Sequence, residues 1–242
     1  MREIINILGV NIDNITARDA LYKAEGYLKS DGVSVIYTPN PEIVMAAYQD
    51  AEFLEVINSS DMCVPDGIGV VYGAKIIGEP LPERVPGFEL CCGLLESMSK
   101  SGGGVFLFGS KPGVAEKAAK NIEEKYPGIK ISGTRNGYFK EEDETEIIEQ
   151  INASGANLLM VCLGAPKQEK WINAHKDELK VNLCIGAGGS LDVLAGEVKR
   201  APKIFIKLNL EWFYRLLKQP SRIGRFMALP KFILTVSKEN KK

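Results

Sequence analysis

Asp66 is the carboxylate whose position in this sequence best suits acid–base chemistry. It follows an apolar run that predicts a strand over 62–64 and precedes a helical pattern over 68–77. A carboxylate at such a strand-to-helix turn can take the proton of a bound hydroxyl group. The same position also suits an N-cap, in which the carboxylate accepts a hydrogen bond from the first helical turn. The sequence leaves both roles open for Asp66.

Polar turns, several of them rich in glycine, follow five apolar runs and indicate a phosphate-bearing ligand. In parallel sheets, ligands bind beyond the carboxyl ends of the strands, near free N–H groups at helix N-termini. Glycine lets the backbone approach a phosphate closely, although the glycines of any one turn could equally serve only to form that turn. The absence of a Walker A pattern and of G-x-G-x-x-G spacing disfavours NAD. The five turns are 38–41, 65–67, 109–113, 164–168 and 186–190.

The elements that must position these turns alternate between short apolar runs and amphipathic helical patterns. That alternation predicts an α/β fold with a parallel sheet covered by helices on both faces. The first apolar stretch, 4–12, predicts a small N-terminal β-hairpin. The predicted strands are 33–37, 62–64, 105–108, 129–132, 158–163 and 182–185, and the predicted helices are 18–29, 41–58, 68–77, 88–99, 114–126, 142–153 and 168–176.

The sequence offers few groups that could bind a metal ion. His175 is the only histidine, which argues against histidine-based zinc sites and Ser-His-Asp hydrolysis. The acidic run 141–144 is typical of a first helical turn, where the helix dipole favours negative charge. No D-x-D pair follows a strand. We therefore predict chemistry without a metal ion or other cofactor, with phosphate bound by backbone amides and arginines.

Charge is distributed unevenly along a chain whose formal net charge is only −1. Residues 198–242 carry 12 basic and 2 acidic residues, a net +10, whereas the preceding residues carry 18 basic and 29 acidic ones, a net −11. The overall composition, 45% apolar and 25% charged, is that of a globular protein and excludes disordered or disulfide-dense classes. We predict a catalytic domain over 1–196 and an appendage over 197–242 that meets an anionic partner.

The appendage combines basic residues with aromatic and aliphatic ones. Its helical patterns cover 203–218 and 222–237, with Ser221 as an N-cap for the second. Such a pair is typical of helices lying on an anionic membrane surface. The alternative is a C-terminal helix that packs on the main domain with solvated lysines. Nucleic acid would suit the charge but not the density of apolar side chains, so we predict no nucleic-acid partner.

Eight stretches, in order along nearly the whole chain, resemble the WecG/TagA/CpsF family of bacterial glycosyltransferases. Within that family, the chain is most similar to the N-acetylmannosamine transferases. The stretches are 38–42 (TPNPE), 65–70 (PDGIGV), 84–87 (RVPG), 108–110 (FGS), 164–169 (GAPKQE), 188–192 (GGSLD), 200–202 (RAP) and 211–216 (EWFYRL).

The resemblance implies a Rossmann-like fold and an inverting, metal-independent transfer. The donor would be UDP-N-acetylmannosamine (UDP-ManNAc) and the acceptor the C4 hydroxyl of GlcNAc-diphospho-undecaprenol. The product would be the β-1,4-linked lipid disaccharide of wall teichoic acid. Asp66 would be the catalytic base, with Thr38, Arg84 and Gln168 beside it. With the glycine turns, the predicted binding set is Asn40, Gly109, Ser110, Gly164, Gln168, Gly188, Gly189, Asp192, Arg215, Arg222 and Arg225.

Two alternatives stay open. The same fold could transfer another sugar, N-acetylmannosaminuronate or glucose, to a surface polysaccharide. Otherwise the chain could be a non-catalytic nucleotide-binding module tethered to a membrane. The resemblance also favours a homo-oligomer, and a cytoplasmic protein peripherally associated with the inner face of the cell membrane.

Overall fold

The computed structural model describes residues 3–207, 210–218 and 227–241. Its strands form a two-stranded antiparallel sheet and a six-stranded parallel sheet of order β4-β3-β8-β7-β5-β6. All six strands predicted for the parallel sheet are present, with ends shifted by one to three residues. The strands are β1 (Ile4–Ile7), β2 (Val10–Asp13), β3 (Ser34–Tyr37), β4 (Met62–Cys63), β5 (Gly104–Gly109), β6 (Lys130–Arg135), β7 (Leu158–Cys162) and β8 (Leu183–Gly186).

Helices cover both faces of the parallel sheet, which confirms the predicted Rossmann-like class. Nine of the described helices lie in residues 1–196 and three more belong to the appendage. They are α1 (Ala17–Tyr27), α2 (Pro41–Gln49), α3 (Ala51–Asn58), α4 (Ile68–Ile76), α5 (Gly87–Ser101), α6 (Val114–Lys125), α7 (Glu144–Ala153), α8 (Lys167–His175), α9 (Ser190–Leu194), α10 (Lys203–Lys207), α11 (Glu211–Lys218) and α12 (Ala228–Glu239).

Two apolar cores lie on opposite faces of the sheet because successive strand residues point to opposite sides. In β7, Leu159 and Val161 enter one core and Leu158 and Met160 the other. The first core takes side chains from α2, α3, α4, α7 and α8, and from the β1–β2 hairpin. The second core takes them from α1, α5, α6 and α9. A strand buried on both sides must be apolar throughout, which is why these runs were recognisable in the sequence.

The predicted single helix over 41–58 is two helices, α2 and α3. Asp50 separates them in an extended conformation, and its side chain accepts a hydrogen bond from the N–H of Phe53 at 3.1 Å. A short carboxylate side chain competes with the backbone for such donors, so it ends one helix and caps the next.

The last helix of the appendage is packed into the main domain. Phe232 and Val236 of α12 are buried in the first core, against α2 and α4. Gly73 of α4 makes room, because a Cβ there would lie 2.7 Å from Cζ of Phe232. This is the packing that the sequence left as the alternative for a C-terminal helix. The second predicted helix, 222–237, is described only from Ala228 onward, and Ser221 lies outside the described residues.

No helix among the described residues is long and apolar enough to cross a bilayer.

Candidate active site

The loops after β3 and β4 hold Asp66 beside Thr38 and Asn40 at the carboxyl edge of the sheet. The N–H of Val64 donates to the carbonyl of Tyr37 at 2.9 Å, and the N–H of Asp66 donates to that of Pro39 at 3.1 Å. These bonds continue the β3–β4 pairing past the ends of both strands. The carboxylate is therefore carried on a fixed backbone rather than on a free loop.

Asp66 does not cap the helix that follows it. The N-cap of α4 is Gly67, with φ +94°, and no side-chain hydrogen bond caps the helix. A φ in this region suits glycine, so the chain turns into the helix one residue after the carboxylate. Asp66 is partly buried. The N-cap position that the sequence left open to Asp66 is therefore occupied by Gly67.

Arg84 reaches the same place through the loop before α5. The N–H of Val85 donates to the carbonyl of Pro65 at 2.8 Å, which ties the Arg84 loop to the Asp66 loop. Gly87 lies against Thr38, because a Cβ on Gly87 would be 2.7 Å from the Thr38 hydroxyl oxygen. The structure therefore brings the loops of Thr38, Asp66 and Arg84 together.

The appendage contacts this group of loops through Glu211, at the start of α11. Arg84 Nη1 lies 4.0 Å from Glu211 Oε2, and the two side chains are only 16% and 14% exposed. The pair places α11 against the Arg84 loop. Arg215 lies on α11, but its side chain is outside the described set, as are residues Arg222 and Arg225.

Asn40 has a capping role at this edge. Its side-chain oxygen accepts hydrogen bonds from the N–H groups of Glu42 and Ile43, at 2.9 and 3.1 Å. It therefore fixes the start of α2. Thr38 next to it is buried, and its hydroxyl donates to the carbonyl of Gly186 at 3.3 Å. The β3 loop is thus bonded directly to the end of β8.

Gln168 joins the two glycine turns that follow β7 and β8. Its side-chain oxygen accepts hydrogen bonds from the N–H of Gly164 at 3.2 Å and from the N–H of Gly188 at 3.1 Å. The side chain is buried, with the residue 2% exposed. The N–H groups that the sequence offered to a phosphate at these two glycines are used within the protein, and Gln168 organises the loops.

Glu169 is a residue of the site that the sequence analysis did not select. It is 1% exposed, and burial raises the pKa of its carboxyl from 4.5 to about 7. Its Oε1 accepts a hydrogen bond from Gln168 Nε2 at 2.8 Å. Its backbone carbonyl accepts one from the hydroxyl of Tyr37 at 3.0 Å, and burial raises the pKa of that hydroxyl. Its place in the first turn of α8 gave no signal of this burial, because a glutamate there is ordinarily exposed.

Ser110 and Asp192 form the other half of the site, over β5 and β8. The Ser110 hydroxyl donates to Asp192 Oδ1 at 2.8 Å. Ser110 itself is in the left-handed region, with φ +59°. Gly109 before it cannot carry a side chain, since a Cβ would lie 2.3 Å from the carbonyl oxygen of Cys162. Gly189 lies close by, where a Cβ would be 3.8 Å from Asp192 Oδ2.

The predicted residues of the sheet loops thus occupy one edge of the sheet in two groups. A carboxylate and a cation lie over β3 and β4, where a hydroxyl could lose its proton. A serine–aspartate pair beside glycine backbone lies over β5 and β8, where a nucleotide could bind. Within residues 3–207, 210–218 and 227–241, no cluster of three or more His, Cys, Asp or Glu is placed to hold a metal ion.

An open parallel sheet with polar loops at its carboxyl edge defines a doubly wound α/β protein, a class that binds its ligands at that edge. Within that class, the chain belongs to the WecG/TagA/CpsF family of glycosyl transferases, whose family model matches residues 5–242. The protein is accordingly a glycosyltransferase, and the family resemblance found in the sequence is confirmed.

Two relatives carry the same name, N-acetylglucosaminyldiphosphoundecaprenol N-acetyl-beta-D-mannosaminyltransferase. The protein of Bacillus subtilis (strain 168) is 40% identical over 220 residues, which cover 91% of this chain and 85% of the relative. The protein of Staphylococcus aureus (strain MW2) is 37% identical over 240 residues, 98% of this chain and 94% of the relative.

Proposed function

We propose that this protein transfers N-acetylmannosamine from UDP-ManNAc to the C4 hydroxyl of GlcNAc-diphospho-undecaprenol, in the synthesis of the wall teichoic acid linkage unit. The observation that carries the proposal is the meeting of the Asp66 and Arg84 loops at the carboxyl edge of the sheet. The names of the relatives support the sugar and the lipid acceptor.

The reaction is an inverting displacement at the anomeric carbon of the donor sugar. Asp66 takes the proton of the acceptor C4 hydroxyl while the oxygen of that hydroxyl forms a bond to the anomeric carbon. The bond between that carbon and the phosphate oxygen breaks, and UDP leaves with the electron pair. Attack on the face opposite to UDP gives the β-1,4 linkage.

Cationic side chains stabilise the negative charge that develops on the departing diphosphate. Arginine suits this because its fork of N–H donors matches phosphate oxygens. Arg84 lies on a loop bonded to the Asp66 loop, and Arg215, Arg222 and Arg225 belong to the appendage. In this proposal no metal ion takes part, and turnover persists when divalent cations are chelated.

The appendage brings the enzyme to its lipid substrate on the inner face of the membrane, as a peripheral protein. Its support is the net charge of +10 over 198–242 together with exposed apolar side chains on α10 and α11. Those side chains are Ile204, Phe213 and Leu217. Basic and apolar groups on one segment are the combination that anionic lipid surfaces bind.

A donor screen tests the reaction and the sugar together. The purified protein is given a prenyl-diphosphate GlcNAc acceptor and UDP-ManNAc, UDP-N-acetylmannosaminuronate or UDP-glucose, with and without EDTA. We expect UDP release with UDP-ManNAc, unchanged by EDTA, and a β-linked product by NMR. Faster turnover of the uronate or glucose donor would overturn the sugar assignment, an α-linked product the inversion, and loss of activity in EDTA the metal independence.

A further inference from the structure

One side-chain oxygen holds the two glycine turns of the site together. Gln168 Oε1 accepts the N–H groups of Gly164 and Gly188, at 3.2 and 3.1 Å. An amide oxygen has two lone pairs, so these two bonds use its full capacity. The turns follow β7 and β8, and the second one leads directly into α9, which carries Asp192. The position of Gln168 therefore sets the distance between the turns.

Glu169 selects the orientation of the Gln168 amide. Gln168 Nε2 donates to Glu169 Oε1 at 2.8 Å. If the amide were turned by half a rotation, its NH₂ group would face two N–H donors and its oxygen would face a carboxylate. Both contacts would be unfavourable, so an acceptor at Glu169 keeps Oε1 directed at the turns. Glycine at 186 leaves the necessary room, since a Cβ there would lie 3.1 Å from Gln168 Nε2.

Burial of the Glu169 carboxyl costs free energy. It is 1% exposed, and its Oε2 has no hydrogen-bond partner within the part of the chain that the structure describes. A buried polar atom without a partner costs free energy that packing does not return. The side-chain partner of the carboxyl is Gln168, through Oε1.

We propose that Glu169 is a positioning residue of the transfer reaction, which acts through Gln168 to fix the spacing of the Gly164 and Gly188 turns around the donor nucleotide. This inference rests on the proposed function. We call the contacts of Glu169 with Gln168, and of Gln168 with Gly164 and Gly188, the clamp. The Gly188 turn continues to Asp192, which bonds to Ser110, and the end of β8 accepts a hydrogen bond from Thr38. The clamp therefore joins the nucleotide half of the site to the Asp66 half.

The charge on Glu169 is the part of this device that pH can change. Its titratable neighbour is Tyr37 of β3, which in turn lies near the buried Cys184 of β8. On α3, Glu52 contacts Lys170 instead, as does Asp50 just before that helix. A hydrogen bond to an ionised acceptor is roughly twice as strong as one to a neutral acceptor. The clamp is therefore tighter when Glu169 is ionised.

The test compares Glu169→Met, Glu169→Gln and Ser60→Ala with the wild type. Methionine keeps the volume and removes the acceptor, whereas glutamine keeps an acceptor oxygen and removes the charge. Ser60→Ala is the matched control, because it removes another buried hydrogen bond, to the carbonyl of Ile57 at 2.9 Å, on the opposite edge of the sheet. Amide exchange of Gly164 and Gly188 is first measured by NMR in the protein without substrate.

In Glu169→Met we expect amide exchange at both glycines at least tenfold faster and a donor KM raised about ten- to a hundredfold, with kcat and acceptor KM nearly unchanged. In Glu169→Gln, both the glycine amide exchange and the donor KM should stay close to those of the wild type. In the wild type the donor KM should fall as pH rises through about 7, and in Glu169→Gln it should stay level. Ser60→Ala should change neither readout.

Unchanged glycine exchange in Glu169→Met would overturn the clamp. Faster glycine exchange in Glu169→Met with an unchanged donor KM would overturn the role of Glu169 in the reaction. If the wild type fails to turn over UDP-ManNAc, the proposed function has failed. The UDP dissociation constant then replaces the KM, and a Glu169→Met protein that binds UDP as the wild type does would overturn this inference separately.

Discussion

Asp66 can be changed without removing a helix cap, which makes its chemical role testable. In Asp66→Asn the shape and the backbone bond to Pro39 remain, while the ability to take a proton is lost. We expect kcat to fall about 10²–10⁴-fold, the range typical of general base catalysis, with UDP affinity nearly unchanged. Kinetics with the lipid-linked acceptor and calorimetric titration with UDP measure the two quantities.

Asp50→Asn is the control for this substitution. Asp50 caps α3, between α2 and α3, and is not among the site residues. An asparagine caps a helix about as well, so this variant should be folded and fully active. Wild-type turnover in Asp66→Asn would contradict the role of Asp66 as base.

Glu169 should make the stability of the protein depend on pH. Its pKa rises from 4.5 in the unfolded chain to about 7 in the folded protein. Below 4.5 the carboxyl is neutral in both states. As pH rises toward 7 only the unfolded chain gives up the proton, so folding stability is lost by up to about 3 kcal/mol and then levels off.

Urea unfolding at pH 5 and pH 8 measures this effect. Glu169→Gln should lack that loss, so that its stability relative to the wild type increases between the two pH values. The same substitution at the exposed Glu124 is the control, and its difference from the wild type should not change with pH. An equal pH dependence in the wild type and Glu169→Gln would show that Glu169 is ionised at pH 5 in the folded protein.

Asp66 was found from the sequence and Glu169 was not, for a physical reason. The position of Asp66 follows from local order, strand then carboxylate then helix, which the sequence displays. The burial of Glu169 depends on Tyr37 of β3 and on the Gly188 turn, which are distant in the sequence and meet only in the folded sheet. The same holds for Gln168: it was selected together with Gly164 and Gly188, but the two hydrogen bonds that join it to them were not predicted.

At the level of elements, the strands were predictable and the helix ends were less so. A strand that is buried on both faces must be apolar along its whole length, so an apolar run in the sequence predicts such a strand. The helix over 41–58 was predicted as one because its apolar pattern is continuous, whereas a single hydrogen bond at Asp50 divides it. The short α9 was not predicted because its five residues, at the end of a glycine turn, are too few to show a helical pattern.

The packing of α12 against α4 should contribute strongly to stability. Phe232 is 0% exposed and lies over Gly73, whereas Leu234 on the same helix is 71% exposed. Phe232→Ala should therefore lower the free energy of unfolding by about 3–5 kcal/mol. Leu234→Ala, the matched control, should change it by about 0.5 kcal/mol or less. Urea denaturation measures both, and similar costs would contradict the packing.

The Arg84–Glu211 pair should couple the appendage to the site. Both side chains are mostly buried, so removal of one charge takes away part of the other's compensation. In a double-mutant cycle with Arg84→Gln and Glu211→Gln, we expect the double variant to be more stable than the sum of the single effects by about 0.5–3 kcal/mol. Thermal unfolding of the four proteins measures this, and simple additivity would show that the two side chains do not interact.

For the whole molecule, the packing of α12 changes how membrane binding must be tested. A chain cut at 197 would lose Phe232 and Val236 from the first core, so a failure to bind lipid could reflect poor folding. The exposed apolar residues of α10 and α11 can be changed instead. Ile204→Ser and Leu217→Ser remove two side chains that are 65% and 58% exposed and that belong to no core.

Flotation with anionic vesicles compares this double variant with the wild type and with Tyr22→Ser, whose side chain is 78% exposed on α1. Because burial of one such aliphatic side chain is worth about 1.5–3 kcal/mol, the double variant should bind vesicles at least about tenfold more weakly. High salt should weaken the wild type further, since it screens the charge of +10 over 198–242. Tyr22→Ser should float as the wild type does. Equal flotation of the double variant would show that Ile204 and Leu217 are not buried in the bilayer, and would overturn the lipid contact assigned to them.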